Sequence, residues 1–375
     1  MKSKIKKIVR RCIFRVHQIK QEQFYHYVMK LNNIPDKESD GEKAWLEKWS
    51  VFGLKAKPSQ YRVFRHYIGD DINIVPEDIC HDFIEPVLNP SAYTGYYSDK
   101  NVFDRLFPAG YLPKTILRST FGEISDANYC RVELNDKELC NKLNECIKKI
   151  IIKPTVDGMS GVGVQLFVKQ DNGKWINPQN GKLLNVQYIK NKCGNNWIIQ
   201  EAVEQYEYIN QFNDSSVNTL RLSLYRSVKD EECHITGAIM RIGGKGSVVD
   251  NAHAGGCYVG IREDGTFCHE VYDQYGVKRT IFNDIDFSND YMYPNWNEVI
   301  AFAQSIAQYV PHHRLLALDI VLTKEGKPQL IEFNILYYSS WLFQYTTGAA
   351  FGIFTDEILE YCKNNQHNVC YNISI

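Results

Sequence analysis

Asp319, Glu332 and Asn334 are the residues whose types and spacing point most directly to chemistry. They lie in LLALDIVLTKEGKPQLIEFNI, residues 315–335. Two apolar, β-prone runs, 316–323 and 329–335, flank Lys324-Glu325-Gly326-Lys327, a turn whose glycine can take positive φ. Centring the turn on Glu325-Gly326 sets Thr323 opposite Pro328 and Asp319 opposite Glu332. Asn334, two residues beyond Glu332, shares its face. Acids directly opposed across a ladder repel, unless a cation lies between them. Two carboxylates and an amide oxygen are hard donors that suit Mg²⁺ with phosphate oxygens and water. The competing reading is an exposed hairpin edge with scattered charges.

A second group of residues has the character of a phosphate site. Lys153 ends the apolar run 150–154 and precedes Asp157-Gly158-Met159-Ser160-Gly161-Val162-Gly163. Glycines this dense let backbone N–H groups converge on an anion. The pattern is not G-x-x-x-x-G-K-[ST], and the glycines lead into the β-type run 164–168 rather than a helix. It is therefore neither a P-loop nor a dinucleotide fingerprint. A glycine hairpin closing over phosphates, with Lys153 beneath it, fits the order; a plain hairpin fits it too. The strand 197–203, WIIQEAV, ends among Glu201, Glu204 and Glu207 and can act as a hinge for a base edge and ribose hydroxyls. Asp99 caps a helix-like run, 101–107, beside Lys100.

The strands 218–226 and 237–242 each carry one arginine, Arg221 and Arg241, among apolar residues. A half-buried arginine needs an anion or a carboxylate partner. Between Arg241 and the next strand, His253 sits in DNAHAGG (residues 250–256), a glycine-marked loop suited to covering a ligand or simply to turning the chain.

The elements that must position these groups belong to a chain of 375 residues, long enough for two or three domains. It is 44% hydrophobic and 23% charged, with a formal charge of −1, which argues against a general nucleic-acid binder. Its 11 cysteines, without a CxxC pair, disfavour a disulfide framework or zinc ribbon and suggest a reducing cytoplasm. Residues 1–20 carry Lys2, Lys4, Lys6, Lys7, Arg10, Arg11, Arg15 and Lys20 and no acid. Ile5, Val9, Cys12, Val16 and Ile19 recur at helical spacing. Such a basic amphipathic helix either lies on an anionic membrane surface or packs its stripe on the domain. Residues 21–97 read as a helix-rich, aromatic-rich region. The reading is thus α+β, divided as 1–20, 21–97, 98–200 and 201–375.

Together these stretches resemble the ATP-grasp superfamily over roughly residues 98–345. Asp319…Glu332-x-Asn334, Lys153-Pro154 before the glycine hairpin, and Gln200-Glu201 carry the likeness. SxNTxR, VDNxHxGG and IExN look most like the sugar-transfer associated ATP-grasp group of bacterial surface-polysaccharide clusters. The resemblance implies an ATP-grasp fold of two α+β subdomains gripping ATP. Lys100 and Lys153 would hold the α- and β-phosphates, with Ser160, Gly161 and Gly163 as lid. Gln200, Glu201 and Val203 would line adenine and Glu207 ribose. Asp319, Glu332 and Asn334 would bind Mg²⁺, and Arg221, Arg241 and His253 would serve the reacting centre. It further implies a carboxylate–amine ligase acting on a glycan precursor with an amino-acid or sugar substrate. A sugar kinase and a non-catalytic, membrane-associated ATP-binding module are the alternatives. The ligases place an arginine two residues before the metal aspartate; here that residue is Ala317, so either Arg221, Arg241 or His253 takes its place or the chemistry is simple phosphoryl transfer, which needs no such arginine.

Overall fold

The computed structural model describes residues 2–144, 148–156 and 161–366, with side chains described from residue 12 onward. The β-branched and aromatic runs between residues 115 and 201 form β1 (Thr115–Thr120), β2 (Glu123–Asp126), β3 (Lys149–Pro154), β4 (Gln165–Lys169), β5 (Trp175–Ile176) and β6 (Trp197–Glu201). They make one sheet in the order β2-β1-β6-β3-β4-β5. β7 (Leu220–Arg226), β8 (Cys233–Ile242), β9 (Cys257–Ile261), β10 (Phe267–Tyr272) and β11 (Lys278–Arg279) follow. After the small hairpin of β12 (Ile281–Phe282) and β13 (Ile285–Asp286) come β14 (Leu315–Leu322) and β15 (Pro328–Asn334). The second sheet runs β11-β10-β9-β8-β7-β14-β15. Among the described residues every ladder is antiparallel.

β14 is buried along its whole length, which is why it reads as an almost unbroken apolar run. Its two faces pack on different layers, as alternation requires. Leu316, Leu318, Ile320 and Leu322 share a core with Val299, Ala303 and Ile306 of the helix Trp296–Gln308. Leu315 and Ala317 face the other way, into the core built by the N-terminal helices. Asp319 is the next residue on that second face, and it opens into a cleft between the two sheets. The third core, under the first sheet, begins at Ile116. Phe103 and Phe107 of the expected 98–200 unit pack instead on the core of the second sheet.

The first helix, Lys2–Leu31, runs past the expected boundary at residue 20. Tyr25, Val28 and Met29 are buried with Trp45, Tyr61 and Phe64, so the aromatics of this region are core. Phe14 is buried and meets Phe83 edge-on at 5.2 Å. The stripe read from the spacing faces outward where it is described: Val16 is 51% and Ile19 55% exposed. The helix docks by the neighbouring face because Phe14, His17 and Gln18 find partners there.

Candidate active site

The hairpin of β14 and β15 pairs Asp319 with Glu332, as the spacing predicts, but by a different route. Near the turn the register is one residue shorter than expected, so Leu322, not Thr323, faces Pro328. The Gly326 N–H donates to Thr323 O at 2.7 Å and closes the tighter loop. One extra residue on β15, Ile331, then restores the expected register at Glu332. A bulge residue is left out of the ladder, and its freed carbonyl is used. Lys153 Nζ donates to Ile331 O at 3.4 Å.

The opposed acids are tolerated because each has its own cation. Lys100 Nζ lies 2.8 Å from Glu332 Oε1. Asp319 is only 2% exposed and is held by Arg221, its register partner on β7. Arg221 Nε and Nη2 donate to Asp319 Oδ1 and Oδ2, both at 2.8 Å, a bidentate fork that lysine cannot make. Arg241 Nη2 adds a third contact, 3.1 Å from Asp319 Oδ2. Burial by itself raises the Asp319 pKa, but the two arginines outweigh it and hold the carboxyl below its ordinary value.

These contacts set two arginines beside Asp319, whereas position 317 carries none. Ala317 is fully buried under the N-terminal helical layer, beside Ser223 and Asn334 in the ladders. An arginine there would lie inside apolar core, so the charge comes from the strand alongside.

Arg241 is also held by Thr219, whose Oγ1 accepts from Nε at 2.9 Å and Nη2 at 2.6 Å. Asp250 Oδ2 in turn accepts the Thr219 N–H at 2.9 Å and lies 3.6 Å from Arg241 Nε. Sequence reasoning missed this Thr219–Asp250 brace. The available signal was alternation: Thr219 lies two residues before Arg221 and so shares its face.

Lys153, 9% exposed, lines the cleft together with Gly161. Burial chiefly, then the Lys100 charge, pulls its pKa down to about 8, against an opposing pull from Glu332. Gly161 (φ +74°) lines the cleft, and a Cβ there would come within 3.1 Å of Val249. Gly163 (φ +82°) has a different role: its missing Cβ leaves room for Pro154, which such an atom would meet at 2.8 Å. Ser160 lies outside the described residues. Gln200 lines the cleft, yet its amide donates to Pro113 O at 3.2 Å and Thr115 Oγ1 at 3.3 Å, so it ties β6 to β1. Glu201 pairs with Lys114 at 3.1 Å, and its N–H goes to the Lys114 carbonyl. Val203 and Glu207 line the same cleft just past the strand. His253 is exposed on its rim, with Nδ1 against Gln274 Oε1.

The cleft encloses about 1170 Å³ and gathers Lys100, Lys153, Arg221 and Arg241 with Asp250, Asp319 and Glu332. Over the whole lining six Lys or Arg residues stand against seven Asp or Glu residues, so affinity for a polyphosphate has to come from the placement of Lys100, Lys153, Arg221 and Arg241 and not from net charge. The donors fit Mg²⁺: all are hard oxygens, with Asp319 and Glu332 in register. Asn334 is adjacent, its amide nitrogen 3.5 Å from Asp319 Oδ2.

The family pattern described as sugar-transfer associated ATP-grasp matches residues 80–355. The chain belongs to this family. It therefore has the ATP-grasp fold, with a helical region ahead of the sheets. No curated protein matches the sequence. Among solved structures, D-cycloserine synthetase DcsG is 15% identical, with 73% of each chain covered and a TM-score of 0.41. D-alanyl-alanine synthetase A from Vibrio cholerae O1 is 14% identical, covering 74% of this chain and 67% of that one, at 0.40. N5-carboxyaminoimidazole ribonucleotide synthetase from Thermotoga maritima is 12% identical over 67% of this chain, at 0.36; the match spans only 45% of that enzyme. ATP and Mg²⁺ dependence is typical of this fold.

Proposed function

We propose that this ATP-grasp protein is an ATP- and Mg²⁺-dependent carboxylate–amine ligase working on a bacterial surface-polysaccharide precursor. The observation that carries the ligase reading is the single cleft that holds both lysines, the Asp319–Glu332–Asn334 donors and the Arg221–Arg241 pair. The glycan context follows from the family description alone. Lys100 and Lys153 would take the polyphosphate, and Glu201, Val203 and Glu207 the adenosine end. Bound Mg²⁺ would be held by Asp319, Glu332 and Asn334 and would offset phosphate charge.

A carboxylate does not condense with an amine in water because its oxygen is a poor leaving group. Attack of a carboxylate oxygen on the γ-phosphorus breaks the bond to ADP and forms an acyl phosphate. The amine nitrogen then attacks the carbonyl, inorganic phosphate departs, and the amine proton passes to a base. The chain's part is to orient the partners, exclude water and meet developing negative charge with Arg221 and Arg241. His253, on the rim, would receive the proton.

Phosphoryl transfer to a sugar hydroxyl drew its support from Ala317, and the arginines beside Asp319 weaken that support. Incubation with ATP, Mg²⁺ and pairs of uronic and amino acids, read by mass spectrometry, separates the two. An amide with free phosphate is expected; a stable phosphorylated product would replace the ligase by a kinase. ATP binding without acceptor-dependent turnover across the panel would leave a binding module.

We also propose that residues 1–20 hold the protein at the cytoplasmic face of an anionic membrane. The outward Ile13, Val16 and Ile19 beside Arg15 and Lys20 support that reading. No described helix is long and apolar enough to cross a membrane. The chain is read as an N-terminal helix and helical region followed by two ATP-grasp subdomains meeting near residue 200.

A further inference from the structure

Residues 77–88 form one helical run with a π-turn at its centre, Cys80–Ile84, between Glu77–Ile79 and Glu85–Leu88. Such turns widen the helix and recur at functional sites. This one carries His81 and Asp82 on adjacent positions. His17 reaches them from the first helix. Its Nδ1 lies 3.2 Å and 3.1 Å from the two Asp82 carboxylate oxygens, and His81 Nδ1 lies 2.9 Å from Asp82 Oδ1. The two imidazole rings stand edge to face, 5.4 Å apart. One ligand atom from each of the three residues falls within 4.8 Å of the others.

We propose that His17, His81 and Asp82 form a binding site for a divalent cation of the zinc class. Two imidazole nitrogens and one carboxylate oxygen are a donor set that zinc accepts, with its fourth position left to water. Bonds of about 2.0–2.2 Å in a tetrahedron put donors roughly 3.3 Å apart. The nitrogen–oxygen separations already match that spacing, and small side-chain rotations bring in the rest. Neutral imidazoles would bind through Nδ1 with the ring proton moved to Nε2.

The surroundings favour a cation independently of the cluster. Glu77, Asp78 and Glu85 lie on the same run, and their partners are neutral donors. Glu77 accepts from Tyr25 at 2.8 Å, Asp78 from Gln60 and Gln18, and Glu85 from the Tyr337 and Tyr338 N–H groups. Burial pushes the Glu77 carboxyl up to about 7 and raises Asp78 and Glu85 as well. These charges are costly where they stand, and a nearby cation relieves them. The site also touches the cleft: the His81 ring stacks on Tyr337 at 4.9 Å, and Tyr337 is a cleft-lining residue three positions after Asn334. A metal here would staple the first helix to the body and fix the ring beneath Tyr337.

The test is a zinc titration of the full chain, stripped of metal and free of nucleotide and Mg²⁺, followed by calorimetry. Cobalt spectra serve as a second readout, since thiolate binding at the free cysteines gives charge-transfer bands and a nitrogen–oxygen site does not. One equivalent should bind, and His17→Gln and His81→Gln should each weaken it tenfold or more; His269→Gln, an exposed side chain on β10, should not. Zinc should slow amide exchange in residues 12–31 of the wild type and not of His17→Gln. His17 is partly exposed, so that variant keeps the fold. Absence of zinc binding to the wild type, or equal affinity in the wild type and both variants, would overturn the site.

Discussion

Replacing Lys153 by Met should stabilise the nucleotide-free protein while removing ATP binding. The amine is buried, and its pKa falls from the lysine value of 10.5 to about 8. That shift corresponds to a cost of roughly 3 kcal/mol for keeping the group protonated in the folded state. Against it stands one long contact, Nζ to Ile331 O at 3.4 Å, whose loss leaves a carbonyl unpaired at about 1–2 kcal/mol. Glu332 keeps Lys100, so no second charge is stranded. The net expectation is a gain of roughly 1–2 kcal/mol at pH 7 in urea melts. The sign follows from the direction of the shift. A lysine with a depressed folded pKa carries its full penalty below about 8, and the penalty fades as pH rises to 10.5, where both states lose the proton. The variant's advantage should therefore shrink over that interval and reverse by its end, where only the lost Ile331 contact remains. Calorimetry with a non-hydrolysable ATP analogue supplies the other half, and binding should fall beyond detection. A variant less stable than wild type at pH 7, or one that still binds the analogue with wild-type affinity, would refute the reasoning.

Asp319→Asn should cost about 3–5 kcal/mol, because it strands Arg221 half-buried without its carboxylate and leaves Arg241 only the longer Asp250 contact; a melt within about 1 kcal/mol of wild type would contradict the clamp. Glu332→Gln breaks a pair whose carboxylate is 30% exposed, so stability should change by less than about 1 kcal/mol while turnover at limiting Mg²⁺ is lost. Gly161→Val meets both positive φ and Val249 and should raise KM for ATP in steady-state assays. The full chain should co-sediment with anionic vesicles at low salt and be released at high salt, since each basic residue contributes on the order of 1 kcal/mol within a Debye length. A chain beginning at Gln21 should lose that binding and keep ATP binding.

The sequence alone determined what depends on local pattern. Alternation and a turn glycine were enough to put Asp319 opposite Glu332 and Asn334 on their face, because strand periodicity is a local property. Asp99 caps a helical turn as expected, accepting from the Asn101 N–H. Motif spacing was enough to name the family. Tertiary structure decided the rest, because those facts depend on residues far apart in the chain. The bulge at Ile331 that repairs the register also offers a carbonyl to Lys153, 178 residues earlier. Arg221 reaches Asp319 from β7, because only sheet order sets the two side by side. Gly163 makes room for Pro154, a contact no glycine count reveals. Where its side chains are described, the first helix docks by Phe14, His17 and Gln18 rather than by Val16 and Ile19. Hydrophobic periodicity ranks faces by composition, whereas docking is decided by which face meets complementary partners, here Phe83, Asp82 and Asp78.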